Sequence, residues 1–106
     1  MTVSVIESAN SKEVVISIDG RFDFSCHQEF IKSYRAFPQG EKKYAVDLSR
    51  TEYMDSSAMG MLLQLRKYAN RATGVSLING NECVKDILRI ANFDKLFNIE
   101  GSTAQV

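Results

Sequence analysis

Three residues, Asp55-Ser56-Ser57, have the types and spacing to do chemistry. They stand where an apolar stretch gives way to a helix-period segment. Asp and Ser are favoured at such junctions because their oxygens accept bonds from the first free backbone N–H groups of a helix. A helix N-terminus also carries partial positive charge and accepts an anion. A serine hydroxyl on that turn is exposed and pre-oriented, so it is a plausible place to attach a phosphate. On sequence physics alone, such a triplet before an apolar helix is most often a plain helix cap.

The helix behind them can be read by faces. Ala58, Leu62, Leu65, Ala69 and Ala72 recur at helical spacing as a narrow apolar stripe, with Met61 and Tyr68 beside it. Gln64, Lys67 and Arg71 lie opposite and should face water. Ser56, Met59, Gly60 and Leu63 form a second line, at i, i+3, i+4 and i+7. Met59 and Leu63 are large and apolar yet lie away from the core stripe. A serine heading an exposed apolar line suggests a docking surface with a switch on it. The alternative is that both side chains pack beneath a neighbouring loop.

Other groupings offer less. Cys26-His27 is the sole Cys–His neighbour pair. A nucleophilic thiolate needs a base aimed at it, and adjacent helical residues point about 100° apart. A surface histidine beside a partly buried cysteine is the preferred reading. Asp23, Asp47 and Asp55 each follow a strand-like run and could gather at one end of a sheet. Clustered carboxylates could take Mg²⁺, but their turn positions favour roles as turn formers and caps. Asp23 and Asp55 could also shape the charge around Ser56. No phosphate-cradling Gly-rich loop with Lys is present, so any ATP comes from a partner's active site.

These residues need elements to hold them. Val3–Ile6 reads as a short edge strand, and Asn10, Ser11 and Lys12 as a hairpin turn. Val14–Ile18 is a β-branched strand ending at Asp19-Gly20. Residues 25–37 carry a helical pattern from a capped start at Ser25, stopped by Pro38 and Gly40. Tyr44–Leu48 is the next strand, and the central helix follows, with Thr73-Gly74 as its stop. Val75–Ile78 is a strand, 82–91 a third helix, Asn92–Lys95 a polar turn, and Leu96–Ile99 a final strand. Residues 101–106 should fray. The order β-β-α-β-α-β-α-β implies right-handed crossovers and a mixed sheet covered by helices, in one domain over 1–106.

Composition narrows the function classes. Of 106 residues, 44% are apolar and 25% charged, as in an ordinary globule. Thirteen basic residues balance thirteen acidic ones, so there is no electrostatic footprint for nucleic acid or an anionic membrane. No apolar run is long enough to span a bilayer, and the first residues lack the pattern of a secretory signal. Cys26 and Cys83 fit no metal spacing and are expected to stay reduced, in a cytoplasmic protein.

YMDSSAMGMLLQL, following YAVDLSRT, resembles the signature of the STAS domain of bacterial anti-sigma factor antagonists, D-S-[ST]-G-[LM]-G and then an apolar helix. VISIDGRFD, residues 15–23, matches that family's second strand and its G-x-[FL]-D turn. The resemblance spans almost the whole chain and implies an α/β, STAS-like fold. It makes Ser56 the phosphate acceptor, and implies no enzyme activity and no cofactor. The resemblance and the exposed line together nominate Asp23, Asp55, Ser57, Met59, Gly60 and Leu63 as partner-binding. The implied partners are an anti-sigma factor, bound by the dephosphorylated form, a serine kinase (in many such systems the anti-sigma factor itself) and a serine phosphatase. The runner-up is a non-switching STAS subunit of a larger assembly, such as a lipid-transport ABC complex. One departure stands out: Ala58 occupies the place of the family's usual glycine.

Overall fold

The protein, seen in a computed structural model, is described over residues 2–8, 12–72 and 74–100. The strands are β1 (Thr2–Glu7), β2 (Glu13–Phe22), β3 (Lys43–Asp47), β4 (Thr51–Met54), β5 (Val75–Ile78) and β6 (Asn98–Glu100). The helices are α1 (His27–Arg35), α2 (Ser56–Tyr68) and α3 (Glu82–Ile90), with single 3₁₀ turns at Phe24–Cys26 and Phe93–Lys95. The sheet runs β1-β2-β3-β5-β6, with β4 joined to β2 off that path. Among the described residues only the β1–β2 pairing is antiparallel; the others are parallel. A mixed sheet with helical crossovers is thus what the chain forms.

Alternation along the strands decides where the core lies. Val14, Ile16 and Ile18 of β2 are buried, and the register carries Val14 to Tyr44 to Val75 and Ile16 to Val46 to Leu77. Phe30 and Tyr34 of α1, Leu62 and Leu65 of α2, and Val84 and Leu88 of α3 join that row in one cluster. Each buried aliphatic or aromatic side chain there contributes roughly 1.5–3 kcal/mol. The alternate row is mixed: Ala45 and Ser76 are buried, while Val15, Ser17, Asp47 and Ile78 are half-buried.

The order expected from the pattern lacks one strand. Thr51–Met54 reads as part of an acidic turn, yet it is β4, paired in parallel with the end of β2. Its register slips between Gly20 and Arg21, where a bulge forms. Gly20 holds φ +93°, a backbone shape that L-residues with side chains rarely adopt. Burial of Thr51 and Met54 around exposed Glu52 and Tyr53 breaks the period-2 signal, which hides the strand in the sequence. Thr51 fixes the junction. Its buried Oγ1 donates to the Ile18 carbonyl at 2.7 Å, and its own carbonyl accepts from Asn81 Nδ2 at 3.2 Å.

Smaller corrections follow the same logic. The first helix starts two residues later than Ser25, because Asp23 caps a 3₁₀ turn ahead of it. The stretch 92–95 is not wholly polar turn, since Phe93 is buried and stacks on Phe97 at 5.2 Å. The last strand is Asn98–Glu100 rather than Leu96–Ile99; Phe97 goes into the core, and Leu96 is exposed. Ala72 lies beyond α2 in an exposed turn, outside the apolar stripe. The hairpin at Asn10-Ser11, Thr73 of the helix stop and the tail 101–106 fall outside the described residues.

The β4 junction gives a direct test. Thr51→Val keeps the shape but removes a buried donor, leaving the Ile18 carbonyl short of a partner. We expect a loss of about 1–3 kcal/mol in urea unfolding. Wild-type stability in that variant would show that the hydroxyl does not hold β4.

Candidate functional site

β2 and β4 end side by side. Phe22 pairs with Met54, both in the core, so Asp23 and Asp55 follow as the next residues of two parallel strands. Each leaves its strand in extended geometry and caps what comes next. Asp23 Oδ1 accepts from the Ser25 N–H at 3.0 Å and from Ser25 Oγ at 2.6 Å. Asp55 Oδ1 accepts from the Ala58 N–H at 3.1 Å and from Ser57 Oγ at 2.7 Å. The same device, a carboxylate holding the hydroxyl two residues on, is built twice in adjacent places.

These bonds set the charge state of the site. The Ser57 hydroxyl, helped by the Ala58 N–H, holds the Asp55 carboxyl below its ordinary 3.8. Neighbouring Asp23 pushes the other way, as a like charge must. The Ser25 hydroxyl and N–H likewise hold Asp23 low, with Arg21 adding to it. Both carboxylates are therefore ionised at neutral pH.

The two serines after Asp55 differ. Ser57 is half-buried and its hydroxyl is committed to the cap. Ser56 is the first residue of α2, is exposed, and its hydroxyl has no hydrogen-bond partner among the described residues. Behind it, Gly60 is exposed and Leu63 is 36% exposed. Met59 departs from the expected exposed line: it is half-buried and packs partly against the core.

Three further residues complete this surface. Phe24 is 67% exposed and stacks on His27 at 4.9 Å. Tyr53 is exposed on β4, and the Arg21 guanidinium lies 4.9 Å from its ring centre. Arg21 Nε also meets Asp23 Oδ2 at 3.4 Å. The alternation of Arg21, Phe22 and Asp23 could have placed Arg21 beside Asp23, since i and i+2 share a strand face. Tyr53 had no such signal, because its strand was invisible.

The remaining candidates sit elsewhere or are differently used. Cys26 is buried, its thiol donates to the Asp23 carbonyl at 3.2 Å, and burial pushes its pKa up. That is opposite to what a nucleophile needs. Asp47 accepts from the Ser49 N–H and from Asn79 Nδ2, and lines a hollow of about 320 Å³ with Asp19 and Arg50. Among the described residues no three His, Cys, Asp or Glu side chains converge closely enough to hold a metal ion. No described helix is long and apolar enough to cross a membrane.

Fold and site define a small α/β domain whose distinctive chemistry lies on the rim where parallel strands meet helix caps, not in a deep cleft. The family model described as Mlab, STAS domain, matches residues 6–99. The chain belongs to the STAS domain family. It is 43% identical over 100 residues to a STAS-domain containing protein of Pseudomonas aeruginosa (strain UCBPP-PA14), covering 93% of this chain and 99% of that one. Its fold is similar to that of the unphosphorylated anti-sigma factor antagonist SpoIIAA, with TM-score 0.76 at 21% identity, covering 98% and 90% of the two chains. A sulfate transporter family protein from Wolinella succinogenes is also similar, with TM-score 0.70 at 13% identity over 92% and 87%. At these identities the structural likenesses speak for the fold alone.

The Asp55 cap should be visible in a pH series. Its folded pKa lies below the unfolded one, so its stabilisation is fully present above the ordinary 3.8 and is lost as pH falls through the folded value. We expect Asp55→Ala to cost about 1 kcal/mol at pH 7. The gap to wild type should narrow as denaturation is repeated at progressively more acidic pH. A gap that stays constant down to pH 3 would show that the carboxylate charge is not what caps α2.

Proposed function

We propose that this STAS domain is an anti-sigma factor antagonist, a binding module rather than an enzyme, switched by phosphate on Ser56. The observation that carries this reading is the division between the two serines. Ser57 is held by Asp55, whereas Ser56 is exposed with its hydroxyl uncommitted. A kinase can therefore take Ser56 without dismantling the helix cap. The Ser56 oxygen attacks the terminal phosphorus of kinase-bound ATP, ADP leaves, and the hydroxyl proton passes to the kinase's base.

The consequence is electrostatic. Phosphate adds roughly −1.5 to −2 charges at pH 7. The N-terminus of α2 accepts an anion, so the fold can stay as it is. The cost appears when a partner covers the rim and strips water from the phosphate beside Asp55 and Asp23. One like charge about 6 Å away, at an effective dielectric near 20, costs on the order of 3 kcal/mol. That is roughly a hundredfold in affinity. The dephosphorylated form is the one that binds an anti-sigma factor, through Leu63, Gly60, the exposed edge of Met59 and the two acidic caps with Ser57. A serine phosphatase restores it.

A second reading keeps the domain as a fixed, non-switching subunit of a larger assembly, such as a lipid-transport ABC complex. A sulfate transporter family protein shares this fold, so the fold by itself does not require a switch. Incubation with cell extract and ATP, followed by site-mapped mass spectrometry, separates the two readings. Phosphate on Ser56 is expected, and Ser56→Ala should abolish it. Phosphate mapping to Ser57, or none at all, would sink the switch.

The docking line is tested independently. Leu63→Glu should weaken binding of the anti-sigma factor more than tenfold while leaving the melting temperature nearly unchanged. A large fall in melting temperature would place Leu63 in the core instead.

A further inference from the structure

Arg21 is placed to respond to a charge on Ser56. The register sets Arg21 opposite Tyr53, and Phe22 and Met54 point into the core. Side chains alternate along a strand, so Arg21, Asp23, Tyr53 and Asp55 share the outer face of this strand pair. Ser56 is the next residue. Adjacent strands lie about 4.8 Å apart, and three residues from Tyr53 to Ser56 span at most about 10 Å. A guanidinium reaches roughly 7 Å from its Cα, and a phosphoserine roughly 4 Å. The two Cα atoms are thus at most about 11 Å apart, a gap the two side chains span when both extend toward one another.

The guanidinium is also available. Its side chain is 66% exposed, and its one ion-pair contact, Nε to Asp23 Oδ2, is 3.4 Å long. Charge-assisted bonds of this kind are normally about 2.7–2.9 Å. The two terminal nitrogens have no hydrogen-bond partner among the described residues. In holding the Asp23 carboxyl low, Arg21 ranks behind the Ser25 hydroxyl and N–H.

Neither β4, the 3₁₀ turn Phe24–Cys26 nor the first two turns of α2 contains a Lys or Arg. Lys85 and Arg89 of α3 pair with Glu82 and Asp86, and Arg50 pairs with Asp19. The titratable groups on β4, the 3₁₀ turn and the two caps are Asp23, Cys26, Glu52, Tyr53 and Asp55, with His27 next to the turn. A phosphate there adds negative charge beside two negative groups, and one fork of N–H donors is free to meet it.

We infer that Arg21 is the phosphate ligand of this switch: when Ser56 carries phosphate, the guanidinium leaves Tyr53 and Asp23 and binds the phosphate oxygens. This rests on Ser56 being the acceptor. Phosphorylation then does more than add charge. It withdraws a cation from the docking surface and uncovers the Tyr53 ring.

The test uses full-length protein carrying phosphoserine inserted at position 56 during translation. Phosphorus NMR follows the second ionisation of the phosphate. A bound guanidinium favours the dianion and lowers that midpoint. We expect Arg21→Ala and Arg21→Gln to raise it by about half a pH unit or more, Arg21→Lys to fall between, and Arg50→Ala to match wild type. One midpoint shared by wild type, Arg21→Ala and Arg21→Gln would overturn the inference. Because the phosphate is placed by translation, failure of Ser56 as a natural acceptor would show only in the extract experiment, and failure of Arg21 only here.

Discussion

The parallel pairing of β4 with the last residues of β2 is the constraint on which this site depends. It is a contact of only three residue pairs, made past a bulge and a positive-φ glycine. Yet it decides that Asp23 and Asp55 end neighbouring strands and point the same way. The Thr51 hydroxyl bonds β4 to β2, and the Asn81 amide bonds β4 to the cap of α3. The buried junction therefore fixes the spacing of exposed charges several residues away.

Two ionised carboxylates side by side would be costly if left bare. Each is compensated locally by a hydroxyl and a backbone N–H, so neither needs a cation from afar. This leaves Arg21 weakly held and Ser56 unheld. The frame is rigid where it must place charges and loose where a charge can be added or moved. In the proposed switch, the fold supplies geometry and the phosphate supplies the change in energy.

Much of this was legible in the chain. The D-S-S turn, the apolar stripe of α2 and the β-branched run of β2 are local signals, and local signals survive in a sequence. Ala58, Leu62, Leu65 and Ala69 are buried as their spacing implies. What failed to show depends on tertiary pairing. β4 has four residues and no alternation, so only its partner strand makes it a strand. With β4 hidden, Tyr53 and its contact with Arg21 were hidden too. Met59 sits at an angle that looks exposed on a helical wheel, but its flexible side chain folds back onto the core. Ser56 and Ser57 could be told apart by angle alone, while the bond that commits Ser57 needed coordinates.

The uncommitted hydroxyl of Ser56 has an evolutionary corollary. Asp55 and Ser57 carry the burden of starting α2, so selection for a folded domain does not act on the side chain at position 56. A drift from serine to alanine there would cost little stability and leave no scar in the core. A signalling domain and a purely architectural one can thus be separated by a single nearly neutral step. If the proposed switch operates, the identity of that one exposed residue records whether a domain of this lineage is still under orders.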